Sequence, residues 1–353
     1  MKAWYCCSSL IPLFRDFFLR FHSCLLANRE GLFMRRVASA KKKAADRAGV
    51  FQRPMKGESN MKIGFIGIGI MGKPMVKNLL KAGKSVVAFD IVEKALEDAV
   101  QAGAEKGLSP EDVAGRTDVI ITMLPNSPHV REVICGEKGV LEALTPGKIV
   151  VDMSSIAPIT SRELCALVEE KGAEMLDAPV SGGQEKAEKG TLAIMVGGKE
   201  RVYGKVKDIL DLLGKSTLVG ESGAGQVTKL VNQTIVGVNI AAVAEGMAFA
   251  KRAGVDPERV FQAIRGGLAG SQCMEDKAPR MFEERYEPGF RIKLHIKDLN
   301  NVLETGRGLH VSMPLTASIM EMMQNLAARG FEGLDHGSLG KYYELINNVS
   351  LKR

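Results

Sequence analysis

The sequence predicts an α/β domain built on a mostly parallel sheet over residues 61–222, followed by an all-helical domain over residues 223–353. Three features predict it. Short apolar runs alternate with helix-patterned stretches between residues 61 and 219, the signature of parallel strands covered on both faces. A glycine-rich turn joins the first run to the first helix. From residue 224 the short runs give way to long stretches of helical periodicity.

Taken in order, the first strand, 62–66, is closed by Gly67-Ile68-Gly69-Ile70-Met71-Gly72, a helix follows over 73–81, and the second strand, 85–89, ends at Asp90. The first glycine permits a tight turn, the second lets the backbone approach a pyrophosphate, and the third lets helix and strand pack closely. Asp90 follows Gly72 by 18 residues, close to the ~20 expected of a carboxylate that binds the adenosine ribose. A lone glycine signature is weak. With both strands, the helix and the acid in place, this unit reads as a Rossmann-type dinucleotide site.

Further strands are expected at 118–124, 148–152, 174–177, 192–196 and 216–219, with helices at 159–170 and 200–213. Ligands of such sheets sit beyond the carboxyl ends of the strands. Leu124-Pro125-Asn126, Ser154-Ser155 and residues 177–183 are therefore expected to be neighbours. Within the last of these, Gly182 and Gly183 expose backbone N–H groups beside the Ser181 hydroxyl and before a helical turn, which suits a carboxylate. A plain turn is the other reading of a Gly-Gly pair.

Residues 224–252 read as one helix of about 43 Å at ~1.5 Å per residue. Its small and apolar positions (Gly237, Ala241, Ala242, Ala244, Gly246, Ala248) imply burial on most sides, partly against another subunit, as a homodimer or homotetramer. Further helices are expected at 257–265, 293–307 and 314–328.

The 353 residues are 45% hydrophobic and 25% charged, an ordinary globular balance that gives no reason to expect a membrane protein. The net charge of +7 lies in the leader: residues 1–60 hold 12 Lys/Arg against 4 Asp/Glu, leaving 36 against 37 beyond. The body therefore lacks the clustered cations that nucleic acid requires. Cys135, Cys165 and Cys273 are widely spaced and odd in number, which excludes a metal framework and a disulfide scaffold and predicts reduced, buried thiols in a cytoplasmic protein. The leader is expected to be disordered or to precede the true start at Met61. Lys56-Gly57-Glu58 can be encoded by purines resembling a bacterial ribosome-binding site, and an Arg-rich transit peptide is the competing account.

Gly225, Lys229, Asn232 and Gln233 share one face near the start of the long helix. Desolvation and the helix dipole both favour a neutral amine there, tuning Lys229 toward proton transfer. By spacing alone, Lys229 is either that proton donor or a solvated surface lysine. Lys297 could equally be a surface charge on an amphipathic helix, and His295 faces elsewhere and reads as structural.

Four motifs occur in order: 65–75 (FIGIGIMGKPM), 177–183 (DAPVSGG), 225–232 (GQVTKLVN) and 297–299 (KDL). On these, residues 61–353 resemble the 3-hydroxyisobutyrate dehydrogenase family of β-hydroxyacid dehydrogenases. The resemblance implies an NAD(P)-dependent oxidoreductase acting on a small carboxylate substrate. It makes Lys229 catalytic, Ser181, Gly182, Gly183 and Asn232 substrate-binding, and Leu124, Pro125, Asn126, Ser155 and Lys297 cofactor-facing. The segments 123–130, 152–158, 264–271, 289–298 and 313–324 look most like the family's tartronate semialdehyde (2-hydroxy-3-oxopropionate) reductases. A dehydrogenase for 3-hydroxyisobutyrate or another short β-hydroxyacid, and a non-catalytic dinucleotide-binding module, are the alternatives. Ile91 stands where an arginine often follows the acid in members that accept a 2′-phosphate, so NAD is expected over NADP.

Overall fold

The computed structural model describes residues 61–352; the leader, and the expectations attached to it, lie outside them. The chain runs β1 (Ile63–Ile66), α1 (Gly72–Lys81), β2 (Val86–Phe89), α2 (Glu93–Gln101), β3 (Glu105–Lys106), α3 (Pro110–Gly115), β4 (Val119–Thr122), α4 (Ser127–Cys135) and β5 (Ile149–Asp152). It continues through α5 (Pro158–Glu170), β6 (Glu174–Asp177), β7 (Val180–Ser181), α6 (Gly183–Lys189), β8 (Leu192–Gly197), α7 (Glu200–Asp211) and β9 (Gly214–Gly220).

These strands form one sheet in the order β3-β2-β1-β4-β5-β6-β8-β7, with β9 paired to β8. The first six are mutually parallel, β8 runs antiparallel to β6 and β7, and β9 is parallel to β8. Alternate side chains go to opposite faces. Ile63, Phe65, Val119, Ile121 and Val151 pack on one face with Met75, Leu79 and Val206, and Ile66, Ile120, Val150 and Met175 on the other with Val130, Ile134 and Leu164. With both faces covered, β4 is buried along its whole length, and each fully buried Val or Ile there contributes roughly 1.5–3 kcal/mol. The order reverses between β1 and β4, and it is at such a switch that a crevice opens beyond the strand ends.

Helix starts follow local chemistry. The side chains of Ser109, Asn126, Asp256 and Ser271 each accept a backbone N–H of the first turn, three of them just ahead of a proline in that turn, where its missing N–H costs nothing. Beyond β9 the chain is helical: α8 (Ala224–Arg252), α9 (Pro257–Ile264), α10 (Gln272–Phe282), α11 (Ile292–Gly308), α12 (Pro314–Ala328) and α13 (Leu339–Asn347). Ile240, Ala244, Met247 and Ala248 of α8 pack with Phe261, Met281, Leu299, Met323 and Tyr343 in a second core.

Helix α8, expected to be buried partly against another subunit, keeps one flank open within the single chain. Ala242 and Gly246 are exposed, and Val231, Ile235 and Phe249 stand on the same open flank, Phe249 with 75% of its surface accessible. Half of its most apolar window is buried, so by length and hydropathy alone it could cross a membrane, yet it is here a core helix with one bare flank. The thiols differ from expectation: of the three among the described residues, Cys165 is buried, Cys135 is exposed at the end of α4 and Cys273 is half-buried, so a filler role fits one of them.

Candidate active site

The glycine turn carries its three tasks in its geometry. Gly67 has φ +99°, a conformation that side chains disfavour, and a methyl there would strike the Met123 carbonyl. A methyl on Gly72 would strike the Gly67 carbonyl, so α1 can sit this close to the strand only without one. Gly69, between them, faces open space. Ile68 is buried while Gly69 and Ile70 are exposed, so one side of the turn anchors and the other stays free. Asp90, at the end of β2, accepts the Ile68 N–H at 2.6 Å and the Val92 N–H at 2.8 Å. Its carboxylate thus shapes the turn itself and keeps lone-pair capacity for a ribose hydroxyl. The open space at Gly69 and the half-buried acid beside it fit a dinucleotide.

Two loops beyond β4 and β5 border the same crevice. The Leu124 N–H donates to Ser154 Oγ at 2.9 Å. Gln226, fully buried on α8, donates to the Ser154 carbonyl at 2.8 Å and accepts the Ile156 N–H at 3.1 Å. Lys297 of α11 donates to the carbonyls of Ser155 at 2.6 Å and Pro125 at 3.2 Å. The surface-charge reading of Lys297 therefore fails. Asn126 caps α4, its side chain accepting the His129 N–H.

Lys229 stands in the second turn of α8 with 6% of its surface exposed. Its Nζ donates to Gln233 Oε1 at 3.1 Å and lies 5.9 Å from the centroid of the Phe290 ring. Gln233 Oε1 also accepts from Asn232 Nδ2 at 2.9 Å, while Gln233 Nε2 donates to Asp298 Oδ2 at 2.6 Å. A donor-only ammonium on one side and a carboxylate on the other fix which way that amide faces. Asp298 is buried and its Oδ1 lies 2.9 Å from Lys297 Nζ. Burial pushes the Lys229 amine down to about 8; Asp298 opposes this and Lys297 adds to it.

The helix dipole, expected to assist, is already occupied. Asp177, at the end of β6, accepts the N–H groups of Gly223 at 2.7 Å and Gln226 at 2.8 Å, setting a carboxylate on the positive end of α8. Its own pKa is raised by burial against those hydrogen bonds. The neighbouring carboxyl of Asp152, paired with Asp177 across β5 and β6, is pushed up to about 6, chiefly by burial.

The Ser181–Gly183 segment closes the circuit. Gly182 (φ +136°) and Gly183 (φ +67°) lie where glycine alone is comfortable, and a Cβ on Gly183 would lie 3.7 Å from the Gly289 carbonyl, next to Phe290. The residues singled out from sequence thus form two groups. Gly67 to Gly72 and Asp90 build the turn below β1 and β2, and Ser155, Pro125, Lys297, Asn232 and Lys229 meet through Asp298 and Gln233.

Comparison with known proteins matches this geometry. The family profile for the NAD binding domain of 6-phosphogluconate dehydrogenase covers residues 62–223, and that for the NAD-binding region of NADP-dependent 3-hydroxyisobutyrate dehydrogenase covers residues 223–343. The 2-hydroxy-3-oxopropionate reductase of Escherichia coli K12 is 45% identical over 292 residues, 82% of this chain and 100% of its own length. This chain belongs to the 3-hydroxyisobutyrate dehydrogenase family. A second relative, 2-(hydroxymethyl)glutarate dehydrogenase of Eubacterium barkeri, is 38% identical over 83% of this chain and 98% of its own. The solved 3-hydroxyisobutyrate dehydrogenase of Mycobacterium tuberculosis with L-serine superposes with a TM-score of 0.75 at 31% identity, covering 80% of this chain and 98% of that one. As a member of the family, the chain is an NAD(P)-dependent β-hydroxyacid dehydrogenase, an oxidoreductase acting on CH–OH groups.

Sequence reasoning missed two neighbours of Lys229 within this family site. Gln233 was singled out only for its helix face, although its amide carries the link from Lys229 to Asp298. Phe290 was not singled out at all. An aromatic between helices has no periodicity of its own, and its nearness to Lys229 arises only when α8 and α11 pack.

Proposed function

We propose that this β-hydroxyacid dehydrogenase reduces tartronate semialdehyde (2-hydroxy-3-oxopropionate) to glycerate, with Lys229 as the proton donor. What supports the reading is a buried amine between Gln233 and Phe290, pushed down to about 8 by burial, on the helix that Gln226 ties to the loop after β5. A bound nicotinamide supplies the hydride. Lys229 gives its proton to the carbonyl oxygen and stabilises the alkoxide as charge develops. Ser181, the N–H groups of Gly182 and Gly183, and the Asn232 amide hold the substrate carboxylate. Gly67 to Gly72, Asp90, the 124–126 loop and Ser155 form the dinucleotide side, with Lys297 bracing that side. In this division residues 61–222 carry the cofactor and residues 223–353 the proton donor, and the bare flank of α8 is the face of a homodimer or homotetramer, which sedimentation velocity would measure.

The substrate is tested by a panel assayed with both cofactors. Tartronate semialdehyde is expected to give a higher kcat/KM than the 3-hydroxyisobutyrate pair, in keeping with the name of the E. coli relative. The apolar Phe290 wall beside Lys229 is what favours 3-hydroxyisobutyrate, so a reversed ranking would move the assignment there. With NADH, kcat/KM is expected to exceed that with NADPH by roughly 10–100-fold, since a 2′-phosphate would face the Asp90 carboxylate with Ile91 beside it. Clear NADPH preference would contradict the role given to Asp90.

The lowered Lys229 pKa sets the sign of the pH dependence. Reduction needs the protonated amine, so its kcat/KM is full below about 8 and declines as pH rises through that value. Oxidation of the hydroxyacid needs the neutral amine and rises across the same interval. Profiles measured in both directions check this; a limb near the ordinary lysine value would show Lys229 to be solvated.

A further inference from the structure

Asp335 has no exposed surface and gathers four donors, none of which the site so far uses. Its Oδ1 accepts from Lys277 Nζ and from the Gly337 N–H, both at 2.9 Å. Its Oδ2 accepts the N–H groups of Gly289 and Phe290, each at 3.0 Å. Lys277, on α10, is itself buried and also reaches Asp276 Oδ2 at 2.9 Å. The main chain around Asp335 pairs with the same segment: the Asp335 N–H donates to the Tyr286 carbonyl at 3.0 Å and the His336 N–H to the Phe290 carbonyl at 2.8 Å. Two carbonyls of this segment, those of Tyr286 and Phe290, are thus held by backbone, and two of its N–H groups by one carboxylate.

What the segment touches is the site. The Phe290 ring lies against Lys229 Nζ and packs edge-on to His295 and His336, and the Gly289 carbonyl faces Gly183. We propose that Asp335 is a positioning residue: by gripping the Gly289 and Phe290 N–H groups it holds the Phe290 ring over the Lys229 ammonium and the Gly289 carbonyl against the Gly182–Gly183 turn. This role rests on the reading of Lys229 as the proton donor. The wall it fixes is what keeps water from the amine. Without it the desolvation that depresses Lys229 is relieved, and the amine returns toward the ordinary lysine range.

The charged and titratable groups around Lys229 leave Asp335 a distinct effect. Asp298, Lys297 and His295 face it from α11, and His336 from the turn after α12. Both histidines are held neutral by burial. The Gln233 carbonyl requires a proton on His295 Nε2, so His295 Nδ1 accepts from His336 Nδ1 at 3.0 Å. Neither histidine bonds to Asp335 through its ring, so a change at 335 reaches Lys229 through the Gly289–Phe290 segment.

The test uses two variants of the full-length protein. In Asp335→Asn the donor-only Lys277 ammonium takes the amide oxygen on the former Oδ1 side, so the NH2 faces the Gly289 and Phe290 N–H groups and the segment loses both of its bonds, while Lys277 also retains Asp276. Lys277→Met removes the same buried ion pair and leaves both segment N–H groups gripped. Thermal unfolding shows that each variant is folded, and acetylation of Lys229 by acetic anhydride, followed by peptide mass spectrometry across pH, gives the amine's midpoint without any turnover. Native protein is expected to label with a midpoint near 8, Asp335→Asn about one pH unit higher, and Lys277→Met near the native value. In Asp335→Asn the kcat/KM falls roughly tenfold and its pH limb moves with the amine. A folded Asp335→Asn with an unmoved midpoint overturns the proposal, as does a Lys277→Met that shifts just as far. The labelling decides the Asp335 role whether or not tartronate semialdehyde is reduced, and the substrate panel alone decides that reaction.

Discussion

Lys229→Ala is expected to lower kcat by about 10²–10⁴-fold while leaving dinucleotide affinity near the native value, the range found when a positioned proton donor is removed. The asymmetry follows from geometry. The Lys229 amine bonds Gln233 and borders Phe290, whereas the glycine turn and Asp90 are tied to one another through the Ile68 N–H. Interactions made chiefly in the transition state appear in kcat and spare ground-state binding. Lys229→Arg sharpens the point, because a guanidinium keeps the charge but releases no proton in the working pH range. It is expected to be nearly as inactive as the alanine variant. Loss of NADH absorbance measures turnover and fluorescence quenching measures binding; near-normal turnover in either variant would remove the proton donor from the mechanism.

The second large effect separates two glycines three residues apart. Gly69→Ala places a methyl in open space, so the unfolding temperature is expected to stay within about a degree or two, as for a surface change of a few tenths of a kcal/mol. Dinucleotide affinity is expected to fall by roughly 10–100-fold, because the methyl occupies the line along which a pyrophosphate approaches the backbone. Gly72→Ala behaves in the opposite manner. Its methyl meets the Gly67 carbonyl and the edge of Phe65 at 3.1 Å, which costs on the order of 1–3 kcal/mol of overpacking and lowers stability first. Calorimetric titration beside thermal unfolding tells them apart. Full affinity in Gly69→Ala would place the phosphates elsewhere.

The parts of this molecule that were legible in the sequence are those specified locally. The glycine turn, the acid after β2 and the Ala224–Arg252 helix each carry their signal within a few turns or one strand, and the helix bounds agree with expectation. β3 and β7 were not foreseen, since two residues are too few to show a period. α10 was missed because Pro279 interrupts its pattern and glycines precede it. The Lys229 side chain was singled out, but the cause of its depressed pKa was only half read. Asp177 could not be known to sit on the end of α8, since that contact joins strand β6 to a helix far along the chain. Phe290 and Asp335 were beyond reach for the same reason: their roles exist only once the helices pack.

Lys297 holds one main-chain carbonyl from each of the two loops beyond β4 and β5, and Gln226 fastens the second loop to α8 at two further points. Neither loop can drift without stranding a buried polar group. The rim proposed to meet the dinucleotide is therefore pre-organised during folding, and the entropy of ordering it is not lost again in every catalytic cycle.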